Sequence, residues 1–359
     1  MGDRSIQAPA SLTGLAAVAG GVRRALLLSI PARGATPRLF DIDAARGIAI
    51  FLVVLGHVVA RDFPRGNEWY EVLKELIYRF HMPLFMTLTG ISFALSLPTF
   101  ASWREVLAYS WKKAARLIVP YFLFGLLILA GKLVASRFMH VDNVPLGTPD
   151  DVLRLLLEPG ASAAGFLWFI YVLAIYFALV PALFHLIGRR PVLLLVLGIA
   201  AQAVEWPSLF MLNRVVEYLP FYAAGMILWV HRARWSTLPA LWAVLAWILF
   251  VALLAVALPW SVPKWLLGAV SVPATLALTQ KGGETFTAFW AWLGQRSMSI
   301  YLMNTIAIGL AKALLLKLMP WHGVNFLLFF PLLTLAGVGL PLLVKDWAGR
   351  WSKVADRYL

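Results

Sequence analysis

The residues able to do chemistry in this chain sit in one apolar stretch, RLFDIDAARGIAIFLVVLGHVVAR, residues 38–61. Asp43 and Arg46 open it and His57 lies near its end. Arg46 and His57 are eleven residues apart. On an α-helix that is three turns plus about 20°, so the two side chains share a face, roughly 16 Å apart along the axis. This is about half of a hydrocarbon core of about 30 Å. Ionisable groups in a membrane helix are costly, and they mark a site, a relay or a buried pair. His is the usual general base, and Asp43, about one turn from Arg46, is placed to hold that arginine. Gly56 beside His57 leaves room for something to approach.

Two further groups carry charge within apolar surroundings. Arg79 and His81 lie in YRFHMPLF, with Pro83 two residues on. Lys113 and Arg116 lie three apart in WKKAARLIVPY, on one helix face. That pair reads either as a positive-inside signal or as a clamp for phosphate oxygens.

The elements that must position these residues follow from composition. Apolar residues make up 61% of the 359 and charged residues 13%, the balance of an all-α, polytopic membrane protein. There is no Cys, which excludes disulfides, a thiol nucleophile and thiolate metal sites. The net charge of +14 is that of Lys and Arg gathered in cytoplasmic loops, and no nucleic-acid partner is expected. About ten apolar segments approach a spanning length, near 44–61, 75–97, 116–136, 165–187, 191–205, 209–230, 237–259, 262–281, 297–318 and 323–344. The fifth is short, and Pro263, Gly268 and Pro273 crowd the eighth. With the amino terminus inside, nineteen Lys and Arg fall on inner segments against nine on outer ones. Both termini are therefore expected to be cytoplasmic, with 62–74 and 137–164 as the longest outer loops. Residues 1–37 read as a disordered or surface-lying cytoplasmic tail, 38–345 as the membrane domain, and 346–359 as a short basic tail.

In this orientation the first two long helices are antiparallel neighbours, because a short loop joins them. His57, Arg79 and His81 then share a layer in the outer half of the bilayer. No third His or carboxylate is evident there, so no metal is expected. Tyr78, Trp168, Tyr171, Glu217 and Tyr218 are candidates to bind a sugar near the same layer, with packing or an interfacial belt as the alternative.

These residues also carry a resemblance. Arg38, Asp43, Arg46-Gly47, Ala49-Ile50 and the run Val54-Leu55-Gly56-His57, followed by Phe80-His81-Met82-Pro83-Leu84-Phe85 and Thr89-Gly90, resemble the integral-membrane acyltransferase-3 family. The branch that it most resembles contains O-acetyltransferases of surface sugars, fucose acetylases among them. LWF at 167–169, FYAAGM at 221–226 and LGQRSMSIYLMN at 293–304 are weaker echoes. The resemblance implies ten helices, an acyl-coenzyme A donor from the cytoplasm and an acceptor at or beyond the outer face. It places the family's Arg-ten-residues-His motif on Arg46 and His57. It places a paired basic motif, commonly Arg-x-x-Arg, on Lys113 and Arg116, where the Lys keeps the charge but loses one bidentate fork. Where the family often has a His, this chain has Asn304.

The expectation is a multi-pass enzyme of a bacterial inner membrane. It transfers acetyl from acetyl-CoA to a sugar hydroxyl of a surface polysaccharide, or of its lipid-linked precursor, in exopolysaccharide biosynthesis. Such transfer needs a base for the hydroxyl proton and a group that stabilises the oxyanion. His57 is the expected base, with Arg46 and Asp43 as its catalytic companions and Lys113 and Arg116 holding the donor. Arg79, His81, Trp168, Glu217 and Asn304 are the expected acceptor contacts, Arg79 or Asn304 helping with the oxyanion. Succinyl transfer to a glucan is the alternative within enzymes, and a sugar or lipid transporter the alternative outside them. A transporter would commonly show two related halves, and no internal repeat is visible.

Overall fold

A computed structural model describes residues 39–351 except 61–62, 139–140, 142, 238 and 260. The readings of 1–37 as a tail, of Arg38, and of 352–359 fall outside the described residues. Among the described residues there are 13 α-helices and no strand. They are α1 (Phe40–His57), α2 (Glu68–Ser96), α3 (Trp103–Ala135), α4 (Pro149–Leu157), α5 (Trp168–Leu186), α6 (Pro191–Ala200) and α7 (Leu212–Val230). Then follow α8 (Arg232–Trp235), α9 (Ala240–Ala257), α10 (Lys264–Lys281), α11 (Glu284–Gly294), α12 (Ser297–Leu315) and α13 (Phe326–Trp351). Five helical stretches among the described residues are long and apolar enough to cross a membrane: 103–135, 165–186, 240–257, 297–315 and 323–351. Each of the ten apolar segments falls on a helix, and α6, the short fifth, has only ten residues. The last helix runs through Trp351, beyond the expected boundary at 345.

α1 lies in the middle of the bundle, packed against α2, α10, α11, α12 and α13. Its sequence suits that place. Ala44, Ala45, Ala49, Ile50 and Val54 are fully buried and mostly small, so partner helices come close on several sides. The closest is α11, an eleven-residue helix absent from the expected spans because it is too short to cross a bilayer. α11 lies against the start of α1 through two glycines. A Cβ at Gly47 would stand 2.0 Å from the Trp290 carbonyl oxygen, and one at Gly294 would stand 1.8 Å from the Asp43 carbonyl oxygen. Backbone cannot yield as a flexible side chain can, so only glycine fits at either position.

The expected outer loop 137–164 is partly structured. Thr148 and Asp151 form a capping box at the start of α4, with Pro149 in the first turn. The apolar side of α4 buries Leu155, whose carbonyl accepts from the Tyr121 hydroxyl of α3 at 2.6 Å. Lys132 of α3 donates to the Ala163 carbonyl at 2.8 Å. The chain therefore folds back into the bundle before α5 begins, and brings Phe166 onto the end of α1.

Candidate active site

The site forms where α1 ends. The last carbonyls of a helix have no partner within it and must find one elsewhere. Here one face of α2 supplies the donors, at positions 70, 74 and 78, four apart. The Tyr70 hydroxyl donates to the Leu55 carbonyl at 2.7 Å, and the Tyr78 hydroxyl to the Gly56 carbonyl at 3.0 Å. Lys74 Nζ donates to the Val59 carbonyl at 2.5 Å. A Cβ at position 56 would lie 2.5 Å from the Tyr78 ring, so Gly56 is what lets α2 lie flat here. α2 thus packs on the end of α1, as expected of neighbours joined by a short loop, and these bonds hold it there.

His57, the last residue of α1, is partly buried. Its Nδ1 lies 2.8 Å from Asn304 Oδ1, across 247 residues of chain. The amide of Asn304 can point only one way, because its Nδ2 donates to the carbonyls of Ile300 at 2.9 Å and Tyr301 at 2.8 Å. Its oxygen must therefore face the imidazole and accept. The His57 proton is on Nδ1, and Nε2 carries a lone pair. Phe166 meets the ring edge-on, with centroids 6.1 Å apart. Tyr301 fixes that segment, its hydroxyl donating to the Phe166 carbonyl and accepting from the Phe169 amide.

His81 lies one turn along α2 from Tyr78, the two rings 5.1 Å apart. Its Nδ1 is 2.7 Å from the Ile77 carbonyl, an acceptor only, so this imidazole also carries its proton on Nδ1. The two histidines are thus joined through Gly56 and Tyr78. Arg79 does not join them. Positions 78 and 81 face α1, and 79 is turned about 100° from 78. Its guanidinium pairs with Glu75 at 2.6 Å and donates to the carbonyls of Ala257 at 2.9 Å and Val262 at 3.3 Å, tying α2 to the α9–α10 connection. The placing of Arg79 with the two histidines is thereby corrected: its guanidinium is turned away from them, toward the α9–α10 connection. Asn304 is corrected likewise. It is fully buried and bound to His57 and its own helix, so it holds the imidazole rather than the acceptor.

At the other end of α1, Arg46 pairs with Asp43 at 3.4 Å, in keeping with their spacing, and Gln295 donates to the same carboxylate at 3.5 Å. Sequence reading missed Asp41, which accepts twice from Arg232 at 3.0 Å and once from Gln280 at 3.1 Å. An acidic residue in the first turn of a helix was the available signal, since it also suits the helix dipole.

Lys113 and Arg116 lie on α3, which packs on α5 and α12. Lys113 is partly buried with its ammonium 5.4 Å over the Tyr109 ring, and Arg116 is exposed. Two cations on one face suit phosphate oxygens. Trp168 and Glu217 do come together: Trp168 stacks on Tyr218 at 5.5 Å, and Arg214 lies 5.7 Å over Trp168 while pairing with Glu217 at 2.5 Å. Tyr171 stands apart from this group, its hydroxyl donating to the Leu156 carbonyl at 2.7 Å. The cluster is joined to His57 through the chain itself. Leu167 is fully buried, and on either side of it Phe166 meets the imidazole while Trp168 meets Tyr218.

The fold defines the class: an all-helical, multi-pass membrane protein. A family model described as an acyltransferase domain, that of the acyltransferase-3 family, matches residues 39–346. The chain belongs to this family of membrane acyltransferase domains. It is 31% identical over 160 residues to "Nodulation protein NolL" of Sinorhizobium fredii, covering 44% of this chain and 40% of that protein. It is 28% identical over 237 residues to the protein of the same name from Mesorhizobium japonicum, covering 64% of this chain and 57% of that one. The chain thus spans about half the length of these curated relatives. No solved structure matches.

Proposed function

We propose that this acyltransferase moves an acetyl group from acetyl-CoA to a sugar hydroxyl of a surface polysaccharide or its lipid-linked precursor, in a bacterial inner membrane. The observation that carries this reading is the His57–Asn304 pair, which leaves one imidazole nitrogen with a lone pair at the end of α1. In the proposed reaction, Nε2 takes the acceptor hydroxyl proton as its oxygen attacks the thioester carbonyl. The C–O bond forms, the C–S bond breaks, and the imidazolium returns the proton to the departing thiolate. Arg46, held by Asp43, lies on the same helix toward the donor side, and Lys113 and Arg116 bind the donor's phosphates. Trp168 and Glu217 contact the sugar, an aromatic face beside a carboxylate. His81 lines the acceptor side. Both termini are cytoplasmic.

The test is transfer by the purified protein in lipid nanodiscs, given acetyl-CoA and candidate glycans. Acetyl-CoA consumption that depends on His57 is the expected result. A protein that neither hydrolyses acetyl-CoA nor passes its acetyl group on, while moving glycan across vesicles, would instead be a transporter.

A further inference from the structure

A cleft of about 890 Å³ lies between α6, α7, α9 and α10, and His57 is not in its walls. Those walls are apolar, with Phe221, Ala224, Ala246, Val272 and Leu276 among them. Along α10 it runs from Trp265 to Lys281, roughly 24 Å at 1.5 Å per residue, most of a hydrocarbon core of about 30 Å. Its rim is open, since Ile199, Trp242 and Trp265 are each more than half exposed.

What fills it follows by elimination. An open cleft with apolar walls of this extent marks a binding or membrane-facing surface rather than empty space. Water needs two to four polar partners, and four polar side chains of the lining are already bonded within the protein. Thr87 donates to the Pro83 carbonyl, Gln202 to those of Gly198 and Val216, and Gln280 to Asp41, while Glu217 pairs with Arg214. Hydrocarbon is left, and the surrounding bilayer supplies it. The two ends differ in charge. Glu217 at one end is neutralised by Arg214, whereas Lys281 at the other is exposed and offers a positive charge. We infer that this cleft binds an acyl chain of an anionic phospholipid, with the head group beside Lys281.

The experiment reconstitutes the full-length protein in vesicles containing phosphatidylglycerol with a photoactivatable acyl chain, or phosphatidylethanolamine labelled in the same way. Cross-links are expected to concentrate on 220–228 and 269–277. The exposed apolar face of α13 around Leu327 and Leu335 reports ordinary surrounding lipid. Ala246→Trp should reduce cleft labelling and leave α13 labelling unchanged. Lys281→Gln, on an exposed side chain, should remove a preference for phosphatidylglycerol of about fivefold. Equal labelling of the cleft and α13, or cleft labelling that survives Ala246→Trp, would overturn the site. Equal labelling by the two lipids in the unaltered protein would overturn the head-group assignment. Protection of the cleft by an equal amount of polyprenyl phosphate would replace the phospholipid with an isoprenoid lipid.

Discussion

The two ends of α1 handle polar groups in an apolar bundle in opposite ways. At the start, formal charges are matched: Asp41 with Arg232 and Gln280, Asp43 with Arg46 and Gln295. At the end, apart from Lys74, the partners are neutral: Asn304 for the imidazole, and Tyr70 and Tyr78 for the carbonyls. The first arrangement sets charge against charge and anchors the helix, leaving Arg232 Nη1 buried without a partner. The second holds a side chain firmly by one nitrogen and leaves the other available. A buried charge network stabilises only while complete, because losing one partner strands the other. A neutral network can keep an unsatisfied lone pair at lower cost, and an unsatisfied lone pair is what a base needs.

The comparison breaks most visibly at His57. His57→Ala should lower transfer by about 10² or more, with the protein still accumulating, as measured by acetyl incorporation beside expression level. Normal transfer by this variant would move the base to His81, the other imidazole with its proton on Nδ1. Asn304→Ala should cost about tenfold to a hundredfold in kcat, with the KM for acetyl-CoA unchanged, because the ring loses its orientation but not its nitrogen. A change confined to stability would make Asn304 a packing residue. At the charged end, Asp41→Asn should leave kcat alone and lower stability by about 2 kcal/mol, read as a fall in Tm, because Arg232 keeps its charge without its partner. Removing both donor-side cations, Lys113→Gln with Arg116→Gln, should raise the KM for acetyl-CoA about tenfold, about 1.4 kcal/mol, and leave kcat nearly unchanged. An unaltered KM would reduce that pair to a topology signal.

Much of this was legible in the sequence. Hydropathy places the helices, because a segment in a bilayer must satisfy its own backbone and only a long apolar helix does so. Helical periodicity puts Arg46 and His57 on one face and Asp43 beside Arg46, since contacts three to eleven residues apart depend only on local geometry. The same local rule failed where direction about the axis mattered. Arg79 is expected beside His57 and His81, yet points to Ala257 and Val262.

The sequence by itself determined an all-helical membrane protein with a cation, a carboxylate and an imidazole spaced along one central helix. Only the tertiary structure decided which nitrogen of His57 is available, because Asn304 comes from 247 residues away. It alone placed α11, too short to signal a span, against α1 at Gly47 and Gly294. The physical reason is common to both. Spacing within a helix is fixed by a rise and a rotation that every helix shares, whereas a contact between helices depends on the packing of the whole bundle.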